Sequence, residues 1–104
     1  MADLDRSGFT LDGNVTAINN FQDDDAVSKI YHEEMKSLIC RVTGANFAYV
    51  VNHLVRTEAP VDFNDGYARF VHCDYNVRTL DKLASKVLGK HGVEAENNWR
   101  FAFI

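Results

Sequence analysis

The chain has 104 residues, room for one small domain, and 46% of them are apolar and 25% charged. That balance fits a folded globular protein and argues against disorder. A net charge of −4 with no basic cluster lacks the electrostatic footprint of nucleic-acid binding, and no apolar run approaches the roughly 20 residues of a membrane span.

Acids interrupt the first twenty residues, so they do not read as a signal peptide. The two cysteines, Cys40 and Cys73, make no disulfide framework, and the expected location is the reducing cytoplasm. There is no internal repeat, low-complexity tract or Pro/Gly/Ser-rich linker.

Residues 1–22 follow neither helical nor strand period. Leu4, Phe9, Leu11, Val15, Ile18 and Phe21 are scattered, and Asp12-Gly13-Asn14 is a turn signal. The segment is expected to pack along another element rather than stand alone. Asp23-Asp24-Asp25 then opens a helix, because acids at a first turn accept orphan backbone donors and complement the helix dipole. Val27, Ile30, Tyr31, Leu38 and Val42 recur at helical spacing, and Gly44 suits the position past the end. His32, beside Glu33 and Glu34, is expected on the surface.

Ala45–Val55 alternates as a strand with two mostly apolar faces, so cover on both sides is expected. Tyr49 and His53 share one face, and Arg56 follows near its end. A loop over residues 57–66 leads to a second strand-like run at Phe70-Val71. A second helix is expected from about Thr79 to Leu88, with Gly89 as terminator, and a last strand at Trp99–Ile104. That last strand ends the sequence without a polar residue, which predicts pairing with a second copy along this edge.

The chemistry-bearing pattern is His72-Cys73-Asp74. In an extended backbone residues i and i+2 leave the same face, so His72 and Asp74 could grip one metal ion. An oxygen-activating ferrous site needs two histidines and one carboxylate on one side with the other side open. The pair would supply two of the three. Alone, the triplet is a weak signal, and the plain alternative is that His72 ends a strand while Asp74 caps the turn or helix that follows. His53 is the best placed of the other histidines, although a histidine on an apolar face is more often a hydrogen-bonded structural residue than a ligand.

Taken in order, Phe9, Asp23-Asp24-Asp25-Ala26-Val27, Tyr31, Thr43-Gly44-Ala45, Asn52-His53 with Val55-Arg56, Arg69-Phe70-Val71-His72-Cys73-Asp74 and Asn98 through Ile104 form a more specific set than the triplet. Across nearly the whole chain they resemble the non-haem iron, 2-oxoglutarate-dependent hydroxylases and desaturases that include gibberellin-desaturase-like and cephalosporin-methoxylase-like proteins of specialised metabolism. The resemblance implies an α+β fold: a double-stranded β-helix, or jelly roll, flanked by helices.

Residues 1–104 would be a single domain like the first half of such an oxygenase domain, an incomplete barrel. His72 and Asp74 match the metal-ligand positions. The family's distal histidine and its 2-oxoglutarate-binding arginine match nothing in this sequence. Fe(II) and 2-oxoglutarate are the implied cofactors, a small molecule the implied substrate, and neither nucleic acid nor membrane a partner. Arg69 is a candidate contact for the co-substrate, and Tyr49, His53 and Arg56 are candidate pocket residues. No residue is assigned a catalytic role. The alternative reading is a non-catalytic small-molecule-binding domain, or an interaction domain that shares its sheet with a second chain.

Overall fold

The computed structural model describes residues 3–56, 70, 72, 75–92, 100–102 and 104. The chain divides into two compact units, Met1–Val50 and Val51–Ile104, taken in turn.

The first unit opens with a single turn, α1 (Leu4–Ser7). Asp3 caps it by accepting from the Asp5 amide at 3.0 Å, and Gly8 closes it at φ 76° with its N–H donating to the Leu4 carbonyl. Residues 9–22 follow without regular structure. Helix then begins at α2 (Asp24–Ala26), passes through a π-helical stretch (Val27–Tyr31) and continues as α3 (His32–Thr43). The junction residues Val27 and His32 keep right-handed helical dihedrals, so the three run as one composite helix.

The expected start and stop of this helix hold. Asp23 is the N-cap, accepting from the Ala26 amide at 3.0 Å. Gly44 is the C-cap at φ 71°, where a side chain would be strained, and its N–H reaches the Cys40 carbonyl at 2.9 Å. The π-helical stretch was not signalled by sequence. His32 is half-buried rather than fully on the surface. Ile18 and Val27 are buried, one contributed by the irregular segment and one by the composite helix. Lys29–Asp25 at 3.4 Å and Lys36–Glu33 at 2.6 Å are exposed pairs along the helix, a class that adds little stability.

The second unit contains α4 (Val77–Lys90). Asn76 is its N-cap, and its side-chain oxygen accepts from the Arg78 and Thr79 amides at 3.1 and 3.2 Å. The Thr79 hydroxyl returns the favour by accepting from the Asn76 N–H at 3.1 Å, completing a capping box. The expected apolar stripe is present: Ala84 and Leu88 are buried, and Leu80, Leu83 and Val87 are half-buried. The helix is longer than expected at both ends. Gly89 lies inside it rather than ending it, and the left-handed glycine is Gly92 at φ 68°.

The jelly-roll expectation is overturned. Among the described residues there is no strand, sheet or barrel, and regular structure is helical throughout. Residues 45–55 form no strand, and Phe47, Val51 and Leu54 are exposed rather than covered on both sides. Phe70 and His72 are not in a strand. Arg100, Phe101, Ala102 and Ile104 at the expected last strand are exposed and unpaired in any ladder. The cause is where each element finds its backbone partners. A helix satisfies its N–H and C=O groups within its own sequence. A strand must find a neighbour of matching register, and alternation of apolar residues does not supply one. The Phe47 and Tyr49 rings stack with centroids 6.5 Å apart, so the two-residue face expected of an extended run survives locally without a ladder.

Candidate metal-ligand pair

His72 is exposed and its ring is oriented by the backbone: Nδ1 lies 2.9 Å from the carbonyl oxygen of Phe70. A carbonyl only accepts, so Nδ1 carries the proton in this contact, and in the neutral imidazole the lone pair falls on Nε2. Histidines that bind metals are commonly fixed this way, one ring nitrogen donating to a carbonyl and the other presented to the ion.

The chain after this histidine runs into the Asn76 cap. Both amides at the start of α4 that a cap would serve are bonded to Asn76. Of the plain reading of the triplet, the described residues show that His72 is not in a strand and that the cap of α4 is Asn76. Asp74 itself, with Arg69 and Cys73, lies outside the described residues.

The other sequence-predicted residues divide between the units. Tyr49 belongs to the first, half-buried and stacked on Phe47. His53, half-buried, and Arg56, exposed, belong to the second. Among the described residues no three His, Cys, Asp or Glu side chains gather in a group able to hold a metal ion. His72 thus fits a ligand role by its ring orientation, and no described side chains complete a coordination set around it. Among the described residues no helix is long and apolar enough to cross a membrane.

Sequence reasoning missed the polar contacts of the first unit. Glu34 accepts from the Thr16 hydroxyl at 2.5 Å and from the Ala17 amide at 2.8 Å. Asp12 receives the Arg41 guanidinium through two bonds of 3.0 Å. These bonds hold the Glu34 carboxyl below its ordinary range, chiefly through the Ala17 amide. The Arg41 bonds do the same for Asp12, and Asp12 in turn raises the Arg41 guanidinium. Partners 17 to 29 residues apart leave no signature in a sequence window. The capping box could have been read from Asn76 and Thr79 at their three-residue spacing.

The family model described as "YDMC: Oxidoreductase/YMDC permease-like domain" matches residues 1–104. The chain is also similar to the hydroxylase/desaturase efuI of Hormonema carpetanum, 39% identical over 69 residues that cover 60% of this chain. The match spans 23% of that protein's length. No solved structure matches the chain.

Proposed function

The chain belongs to the oxidoreductase/YMDC permease-like domain family, and from that premise we propose that it is part of an Fe(II)- and 2-oxoglutarate-dependent hydroxylase or desaturase of specialised metabolism. The observation that carries the reading is His72, whose Nδ1 contact with the Phe70 carbonyl at 2.9 Å puts the ring lone pair on Nε2. The likeness to a hydroxylase/desaturase supports it. The reading rests on the chemistry of the pair and not on a barrel.

On this proposal Nε2 of His72 and the Asp74 carboxylate are two ligands of the metal, and a further histidine is required that we do not assign within this sequence. Ferrous iron with 2-oxoglutarate supplies, when bound, the activation of dioxygen for oxidising a C–H bond. The protein's share is to hold and orient: the Phe70 carbonyl fixes the His72 tautomer, and Arg69 offers positive charge to the co-substrate carboxylate. Arg56 and His53 are assigned to the small-molecule substrate.

Isothermal titration of ferrous iron into the anaerobic protein tests the pair. Two protein ligands predict weak, stoichiometric binding that His72→Ala and Asp74→Ala each remove. Micromolar or tighter binding that survives both substitutions would place the metal elsewhere and overturn the assignment.

A further inference from the structure

The irregular segment 9–22 is attached to the composite helix by side chains of two different chemistries. Near one end, Asp12 takes the Arg41 guanidinium in a two-pronged ion pair, both bonds 3.0 Å. In the middle, Glu34 takes two neutral donors, the Thr16 hydroxyl and the Ala17 amide. Thr16 is a relay, since its oxygen also accepts from the Ile18 amide at 3.1 Å. Near the other end the Phe21 ring meets Tyr31 edge-on, centroids 5.1 Å apart.

Apolar attachment is slight by comparison. Phe9, Leu11 and Val15 are exposed, the last two about as fully as a side chain can be, and Ile18 is the one buried side chain of the segment. A segment that buries one apolar side chain has little to raise the cost of local opening, whereas the helix it lies on bonds its own backbone.

We propose that residues 9–22 are a releasable strap on α3, held by two independent latches: the Asp12–Arg41 ion pair, which yields to salt, and the Glu34 bridge, which yields to loss or protonation of that carboxylate. Arg41 is exposed and Asp12 half-buried, so the pair has one face open to ionic screening, where the Debye length falls to about 3 Å at 1 M salt. The donors at Glu34 are uncharged, so screening leaves them alone. No charged residue sits one turn from Glu34 on its own helix, where the positions are Ile30, Tyr31, Ser37 and Leu38. On the strap the charged residue is Asp12, committed to Arg41, and on the helix Lys36 and Lys29 are committed to Glu33 and Asp25.

Amide exchange and relaxation measured by NMR on the whole chain test the proposal. Ala17 and residue 34 are distant in sequence, so Glu34→Ala leaves the intrinsic exchange rate of the Ala17 amide unchanged and any difference reports the latch. The expected result is exchange at Ala17 faster by about fivefold, with the amides of Leu38 and Ile39 in α3 unaltered. Thr16→Val, on the strap itself, removes one of the two donors and is expected to lower the Ala17 protection factor, taken relative to the intrinsic rate for its new neighbour, without touching the helix. Arg41→Gln, or 1 M sodium chloride, is expected to lower order parameters over residues 11–15 while leaving Ala17 exchange as it was. Unchanged Ala17 exchange in both Glu34→Ala and Thr16→Val would overturn the proposal. So would acceleration of Ala17 and the α3 amides in step, because the segment would then be integral to the helix and not releasable.

Discussion

Replacing Asn76 by alanine removes the side-chain oxygen that the Arg78 and Thr79 amides share at 3.1 and 3.2 Å. Loss of such a cap costs about 1 kcal/mol, within a range of roughly 0.5–2. The local structure places this case near the middle. The reciprocal bond from the Asn76 N–H to the Thr79 hydroxyl uses backbone and survives the substitution, which limits the loss. The first turn, Val77 to Thr79, is exposed and the buried residues Ala84 and Leu88 lie in the last two turns. Packing therefore does not hold the first turn in place of the cap. For a domain of this size about 1 kcal/mol is a fall of roughly 4–8 °C in melting temperature, read by far-ultraviolet circular dichroism. Asn76→Gly should cost only a few tenths of a kcal/mol, since glycine frees the backbone to be solvated. Asn76→Asp should equal or exceed the parent, because a carboxylate both caps and complements the helix N-terminus. If alanine and glycine destabilise equally, or if aspartate is as damaging as alanine, the hydrogen bonds of the cap are not what holds this end of α4. The same variants bear on function: the cap begins two residues after Asp74, so iron affinity should weaken in Asn76→Ala and not in Asn76→Asp.

Leu88→Ala should cost about 2–5 kcal/mol, because Leu88 is only 5% exposed; chemical denaturation checks this, and a loss under about 1 kcal/mol would contradict its role in the core. Gly44→Ala should cost about 1–2 kcal/mol from φ 71° alone, since nothing lies within 4 Å of the added carbon; Gly44→Asn should cost less. The carboxyls of Asp12 and Glu34 are held below their ordinary values of 3.8 and 4.5. Their stabilisation is therefore complete above those values and is lost as pH falls through the lowered native ones. Acid unfolding should steepen only below that range, and Asp12→Asn with Glu34→Gln should flatten it.

The composite helix was legible because its ends carry local chemistry: three aspartates at the start, one of which caps the Ala26 amide, and a glycine at the finish in the left-handed region. The π-helical stretch was not, since Val27 through Tyr31 is an ordinary helical sequence by composition. The end of α4 was misplaced by taking Gly89 as a stop, when a glycine inside a helix costs only about 1 kcal/mol and the helix continues to Lys90. The strands failed for a different reason. Alternation in residues 45–55 describes which side chains share a face, and Phe47 stacked on Tyr49 shows that it does. Pairing is a property of two segments, and one segment cannot announce it. Packing of the irregular segment along another element was correctly expected, but the residues that tie it there, Asp12, Thr16, Glu34 and Arg41, were unreadable because their partners are remote in sequence.

The loss of the expected strands bears on the His72–Asp74 pair in a direction opposite to its effect on the fold. The two-residue spacing had a structural explanation in a strand ending at His72 and a turn or helix capped by Asp74. Asn76 satisfies both amides at the start of α4 and there is no strand at His72, so neither a strand end nor the α4 cap accounts for His72. His72 instead has a ring nitrogen engaged by the local backbone at 2.9 Å, an arrangement common among metal-binding histidines. Removing that engagement is the sharpest way to separate the two accounts. The Phe70 acceptor is a carbonyl and cannot be mutated away, but His72→Gln with its different reach, or 1-methylhistidine with its methyl on Nδ1, removes the hydrogen bond that orients the ring, the methylated ring still presenting its lone pair on Nε2. A ligand role predicts weaker iron binding in both with the melt of α4 unchanged; a structural role predicts the reverse, a lower melting temperature with whatever iron binding exists left intact.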